Sequence, residues 1–518
     1  MRLIAILSFA LMISAQVFSQ KLNRHNVKSI YLRDTGPILL DHKVNGYYFF
    51  CNVEKADRKN NVYEIVITDE DLNEKKTLEI TKSNKTQLIE ARYNENAFLF
   101  MFYDYGTKAI TLETYDNQLK ALGAVTNKVT GSLSISFFSS LAAGQAQSHS
   151  FISNAGTDGF VYYGFEESKR HKYAIHLYDN KLNLKWSAHS SDQTKQLEFA
   201  EAGFQSSKYI GTLIAKRKSN TAKEVKYELL VHDREKGKEL FIKDLSNIDE
   251  QYNLAVGNVT FDAEKELMYL FGEYFNAGDK QANSFALGYF YFSLDMKGKV
   301  VKKRYVSWED DISRLMPLDK RGKMEKGASL YVHEIVRMDN GDIYVIGEQF
   351  KKMASGAGIA MAALYGSRSN TATVQIQVLD LVVFKFDNEF NLKKADIYSK
   401  GRNTVLLPSG SEWLTSKMLA VYVKSKDGFD FAFAQTTSDN NGLTICYIDY
   451  EKEKGEKARN VVNSVSYGAS SKEPAHSKAD ISRKSTTYGI YKGKDHHIMV
   501  AEYFKKTKSL DLRLEKIQ

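Results

Sequence analysis

A repeated local unit constrains this chain more than any other feature. An aromatic-rich apolar run is followed by a second such run, and an aspartate-containing turn closes the pair. The clearest copy lies in 341–394. There Ile343-Tyr344-Val345-Ile346 leads into Gly347-Glu348-Gln349-Phe350, Leu381–Phe386 forms the second run, and Asp387-Asn388-Glu389 makes the turn. Short apolar runs bounded by turn residues read as β-strands. Asp and Asn suit the turn because their short side chains bond nearby backbone groups.

Read in order, the paired runs are Gly46–Cys51 with Val62–Ile67, Phe98–Phe102 with Ile110–Tyr115, and Phe160–Gly164 with Tyr173–Tyr178. Tyr209–Ala215 with Tyr227–His232 and Leu267–Phe275 with Leu287–Phe292 follow. After the opening example come Asp430–Ala434 with Leu443–Ile448, and Ile498–Phe504 with Leu510–Leu514. Aspartates 71, 116, 179, 233, 295, 387 and 449 mark a mean period of about 63 residues, room for four short strands and their loops. Alternation within each run predicts one buried face per strand. Gly272 and Gly347, just after their apolar runs, mark close backbone approach or a bend.

These units predict an all-β chain, a β-propeller of eight blades. The count becomes seven if the fourth unit, the weakest, is misread. The eighth unit lacks residues for an outer strand, and an N-terminal strand can close that last blade, with Ser29–Leu32 as the candidate. Closure removes two exposed sheet edges.

The Gly341-Asp342-Ile343-Tyr344-Val345-Ile346-Gly347 pattern and its cousins resemble β-propeller repeat proteins over nearly the whole chain. No Trp-Asp dipeptide of WD40 blades and no Gly-Gly pair of kelch blades occurs. The chain looks most like uncharacterised secreted propeller-like proteins of bacteria, a resemblance that implies no activity.

Residues 1–19 read as a signal peptide: Arg2, an apolar Leu3–Ile13, and Val17-Phe18-Ser19 before cleavage at Gln20. The apolar run is shorter than the ~20 residues of a membrane span, and no later stretch qualifies as a transmembrane segment. The expected organisation is a leader at 1–19 and one propeller domain at 20–518, secreted, periplasmic or at the cell surface. Three inserts break the rhythm near 132–148, 308–327 and 351–373, and Ser464–Ser485 reads as a flexible connector.

Composition adds limits. Hydrophobic residues make up 43%, enough for a sizeable core, and only 4 prolines argue against long linkers. Two cysteines, Cys51 and Cys446, supply no disulfide framework; they read as buried thiols, or as one bridge closing the ring. A formal charge of +9 is mild for 518 residues. It suits anionic surfaces, but the arms and motifs of nucleic-acid binding are missing, so no nucleic-acid partner is expected.

No motif identifies a catalytic residue, which stays unknown, and no cofactor site or metal site is expected. Glu273, Glu348 and Glu502 share one repeat position and could ring a central channel as paired carboxylates. Their recurrence assigns them to the unit. His333-Glu334-Ile335-Val336-Arg337 starts like a zinc-protease motif but carries Arg at the second ligand and lies in a strand. His496-His497 would point to opposite strand faces. Asp69-x-Asp71-x-Asn73 lacks the Gly and final Glu of a calcium loop and reads as a turn. Gly356-Ala357-Gly358 does not follow a strand and open a helix within a βαβ unit, so no dinucleotide cofactor is expected. The expectation is a binding or scaffold module for an unknown protein or glycan ligand, presenting loops on one face. The alternative is a hydrolase or lyase acting on an extracellular polymer at the central cleft. An enzyme should gather unlike polar groups at one end of the channel, and a binding module should show an apolar patch on the loop face.

Overall fold

The computed structural model describes residues 20–517, apart from 32–33, 41–42, 143–149, 166–170, 191–194, 220–221, 223, 282–283, 319–321, 325–326, 366–370, 410, 412–413, 452–457 and 469–472. The leader expected at 1–19 therefore lies outside the described residues.

Eight antiparallel sheets follow one another along the chain. Blade 1 runs through Thr35–Leu40, Lys43–Lys55, Asn60–Thr68 and Glu74–Ser83, and blade 2 through Thr86–Tyr93, Phe98–Asp104, Ala109–Tyr115 and Ala121–Lys128. Blades 3, 4 and 5 begin at Ile152, Leu197 and Tyr252 and repeat this order. Blade 6 consists of Ser329–Arg337, Ile343–Ala354, Thr371–Phe386 and Leu392–Tyr398, with Asn403–Pro408 paired to the long third strand. Blade 7 is Phe431–Thr436, Leu443–Glu451, Arg459–Tyr467 and Ala475–Asp480. Blade 8 is Thr487–Lys492, His497–Phe504 and Ser509–Lys516. Except between blades 5 and 6, the first strands of successive blades touch one another, so they line the axis. Strands are lettered a to d from the axis outward.

The ring closes with Lys21–Arg24, which supplies strand d of blade 8 in the register Lys21↔Arg513 to Arg24↔Leu510. The candidate at Ser29–Leu32 does not fill that place; Ser29 instead forms a bridge to Asn52 of blade 1. Tyr503 Oη donates to the carbonyls of Val27 (3.1 Å) and Lys28 (2.7 Å), pinning the segment between.

The core lies between blades, and this corrects the expectation of one buried face. Phe98 to Tyr103 are all buried. Phe98, Phe100 and Phe102 pack toward blade 1, while Leu99, Met101 and Tyr103 pack toward blade 3. A strand covered on both sides gains from apolar residues at every position. The same construction fills all eight junctions, including blade 8 against blade 1 through Phe49, Cys51, Met499 and Leu512. Outer strands such as Glu74–Ser83 are charged and largely exposed.

The aspartate turns are real, with two shifts. Asp116, Asp179, Asp295 and Asp387 each accept backbone N–H groups two and four residues on, and Asp233 accepts from Lys236. In blade 1 the capping residue is Asp69, which accepts from the amides of Asp71 and Asn73, and not Asp71. Asp449 lies inside a strand. The paired runs of the seventh unit are strands a and b, where every earlier pair is b and c. The supposed connector at 464–485 therefore holds the end of strand c and all of strand d. Gly272 and Gly347 do serve close approach: a Cβ at Gly272 would stand 2.0 Å from the Ala255 carbonyl oxygen, and one at Gly347 2.6 Å from that of Tyr331. Cys51 and Cys446 are free and buried in different junctions, so no bridge closes the ring.

Candidate functional site

In a four-stranded meander the b–c hairpins and the d–a crossings leave the same edge. All three inserts are of these kinds, so they share one face. The first contains helix α1, Ser132–Ala142, whose Phe138 and Leu141 join the junction of blades 2 and 3. The second carries a single 3-10 turn, Ile312–Arg314; Ile312 and Met316 are buried and Leu315 is exposed. The third is shorter than expected, because strands b and c of blade 6 continue through Ala354 and from Thr371. Helix α2, Gly356–Tyr365, joins them. Gly356 thus opens a helix directly after a strand, against expectation, but strands b and c pair antiparallel and no βαβ unit exists.

A fourth excursion, 399–430, was not legible as an insert. Asn403–Pro408 extends blade 6, and helix α3, Ser416–Ser425, folds back over it. Thr415 caps α3 by accepting from the Met418 amide, and Leu419, Ala420 and Val423 bury the apolar stripe against Phe350, Ile376 and Val378. That i, i+1, i+4 spacing was the available signal.

Under α3 lies a cavity of about 500 Å³ between blades 5 and 6. Its walls are strand a of both blades (Ala255–Asn258 and Ser329–Ile335), strand b of blade 5 (Phe271–Glu273), Ser284–Ala286, Trp308, and Thr415–Lys417 with Val421 and Lys424 of the excursion. Its aromatic groups include Tyr227, Phe285, Tyr289, Trp308 and Tyr331. Burial, with the charge of Glu273 adding to it, pushes the Tyr331 phenol up to about 12. Phe285, Met418 and Val421 are exposed on this face, as are Ile359, Met361 and Leu364 of α2. A second cavity of about 820 Å³ shares Glu334 and Ile335 with the first and continues toward the opposite face, lined by Asp262, Glu264, Arg337, Asp339 and Lys492.

Behind the first cavity is a buried charged network. Strand a of six blades carries a register shift, at Ile38, Ile89, Gly203, Gly257, His333 and Ala432. Such a bulge redirects one side chain. His333 is the one titratable residue of the six, and its ring stacks on Phe431 at 4.8 Å. Its Nε2 lies 3.0 Å from Glu348 Oε2, which also accepts the amides of Asp430 (3.0 Å) and Phe431 (2.9 Å). Lys400 Nζ stands 3.1 Å from Glu348 Oε1 and pairs with Asp430. Asn403 and Tyr450 each donate to Asp430 Oδ1 at 2.8 Å. Burial would raise the Glu348 carboxyl, but His333, Lys400 and the Phe431 amide outweigh it and hold it below the usual range. Burial holds the His333 imidazole down at about 4. Burial keeps Asp430 above the usual range despite Lys400. The network ties the two ends of the 399–430 excursion to blades 6 and 7. The side chains of His333, Glu348 and Lys400 have no exposure, so this set is sealed from solvent.

The three repeat-position glutamates do not ring the channel. All lie on strand b, one strand out from the axis. Glu348 belongs to the sealed network, Glu502 accepts the Ser482 amide at 2.7 Å and pairs with Arg513, and Glu273 pairs with Lys417 of α3. The His333–Arg337 stretch is strand, as expected. Asp69 caps its turn, and His496 sits in the turn before strand b of blade 8, with a φ of 61°. Among the described residues, no group of three His, Cys, Asp or Glu could hold a metal ion. Nor is any helix among them long and apolar enough to cross a membrane.

Among solved structures, the WD40 domain of SCAP from fission yeast is 10% identical, with 96% of this chain and 98% of that chain covered and a TM-score of 0.41. Prolyl oligopeptidase B from Galerina marginata is 10% identical over 92% of this chain and 56% of its own length, at 0.43. The β-propeller domain of the Trilobed protease from Pyrococcus furiosus is 10% identical over 88% and 95%, at 0.36. Scores this low add no argument to the fold, which rests on the strand pairing above. No curated protein matches the sequence. A family model does match, over residues 1–518: the chain belongs to DUF6770, a family of unknown function.

Proposed function

We propose that this chain is a secreted, periplasmic or cell-surface binding or scaffold module. Its recognition surface is the face that carries the inserts, and its ligand is a protein or a glycan. One observation carries the reading: α3, the 308–327 insert and the 284–286 hairpin segment converge on a single cavity with aromatic groups in its walls and exposed Phe285 and Val421 at its rim. Concave, mostly apolar sites with a few convergent polar groups are where ligands bind. A hydrolase or lyase at the cleft would need its acid and base open to substrate. The buried His333–Glu348–Asp430 set is sealed, which favours binding over catalysis. The leader pattern at 1–19 supports export.

The test is a glycan and protein binding screen with residues 20–518, repeated with Phe285→Asp/Val421→Asp. Binding that the double substitution removes supports the reading; binding that it leaves intact, or none at all, overturns it. N-terminal sequencing of the protein from its own cells should give Gln20 first.

A further inference from the structure

We propose that the cavity between blades 5 and 6 receives an alkylammonium group of its ligand, and that Lys417 occupies this position in the free protein. The inference rests on the cavity being the ligand site.

The three equivalent glutamates provide an internal comparison. Glu348 and Glu502 are satisfied by the frame, each accepting backbone amides and pairing with a cation of its own or the neighbouring segment. Glu273 differs. The partner found for it among the described residues is Lys417, from the excursion between blades 6 and 7, and its side chain keeps 30% of its exposure. Lys417 Nζ also lies over the Phe275 ring, 4.7 Å from its centroid, and Tyr227, Tyr289 and Tyr331 line the cavity beside the carboxylate. A carboxylate with aromatic faces around it is the arrangement that recognises an ammonium group.

Lys417 is not needed to hold α3 in place. The helix is fixed by Leu419, Ala420 and Val423, by the Thr415 cap, and by Lys400 and Asn403 at the base of the excursion. A partly exposed ion pair of this kind contributes little stability. Its ammonium instead competes with any incoming one, so a ligand must displace it and loses apparent affinity in proportion to its occupancy. The ligand group could belong to a free amine or to a lysine side chain of a peptide; both present the same ammonium.

The experiment measures binding of n-butylamine and of trilysine by ligand-observed NMR and calorimetry. The proteins are residues 20–518 as wild type, Lys417→Met, Lys417→Gln and Glu273→Gln/Lys417→Met. Both single variants should bind each probe about three- to sixfold tighter than wild type, and the double variant should lose the gain. A larger gain for trilysine than for n-butylamine assigns the site to a peptide, and equal gains assign it to a free amine. No gain in either single variant, or a gain that survives Glu273→Gln, overturns the inference. A screen ligand that Phe285→Asp/Val421→Asp abolishes but Glu273→Gln leaves unaffected would sink the ammonium assignment alone and keep the binding reading.

Discussion

His333 Nε2 and Glu348 Oε2 meet at 3.0 Å with both side chains fully buried, the bulge residue of one strand bonded to the carboxylate of the next. Because Glu348 is held ionised, the imidazole donates through Nε2. The pair joins the axis-lining strand of blade 6 to the base of the excursion that covers the cavity.

Acid sensitivity follows from the burial of His333. The folded imidazole titrates near 4, against about 6.5 in the unfolded chain, so between these values the unfolded state binds more protons. The contribution is present above pH 6.5 and is lost as pH falls toward 4, amounting to about 3 kcal/mol. Glu348, held below its usual range, acts in the same sense at still lower pH. His333→Phe should flatten urea midpoints between pH 6.5 and 4.5. A variant curve with the wild-type slope would refute the assignment.

Lys400 neutralises two buried carboxylates, Glu348 and Asp430. Removing one partner of a buried pair leaves an uncompensated charge and costs about 3–5 kcal/mol. Lys400→Met should lower stability by that amount in guanidinium titrations. Lys400→Met/Asp430→Asn should cost less than the two single changes summed, since one stranded carboxylate is gone.

Ring closure rests on four residue pairs between Lys21–Arg24 and blade 8. Starting the chain at His25 leaves Ser509–Lys516 as an open edge, which invites association. With cross-strand pairs worth about 0.2–1 kcal/mol each, the loss is about 2 kcal/mol. Thermal melts and size-exclusion chromatography should show a lower Tm and new oligomers; a monomer of unchanged Tm would contradict the closure.

Both thiols are buried, and burial pushes Cys51 up to about 12 and Cys446 higher still. A thiol reagent should find none reactive in the native protein and two after denaturation, and Tm should be the same with and without a reductant.

Much of this fold could be read from the sequence because strands b and c pack on both sides. Phe98–Tyr103 has no alternative but a buried strand. The errors fall where that signal fades. Lys21–Arg24 closes the ring through backbone pairing with one apolar residue, Leu22, so nothing in its composition announces a strand. Arg459–Tyr467 is polar at more than half its positions, which shifted the seventh unit by one strand. The sealed network was invisible for a different reason. His333, Glu348, Lys400 and Asp430 meet only once blades 6 and 7 are side by side, and their spacing along the chain carries no trace of it. Glu273 was noticed for its repetition, while its partner Lys417 comes from an excursion that sequence spacing left unremarked.

The Gln20 carbonyl accepts a hydrogen bond from the Leu514 amide at 3.0 Å, so the first and last described strands meet on the rim of one blade. The order in which the blades are connected is therefore a convenience of synthesis. A circular permutant cut at the Lys297–Gly298 turn, its old ends joined by a few glycines, keeps every sheet intact. Dyes placed at 20 and 517 would report the opening of blade 8 before any other blade is disturbed.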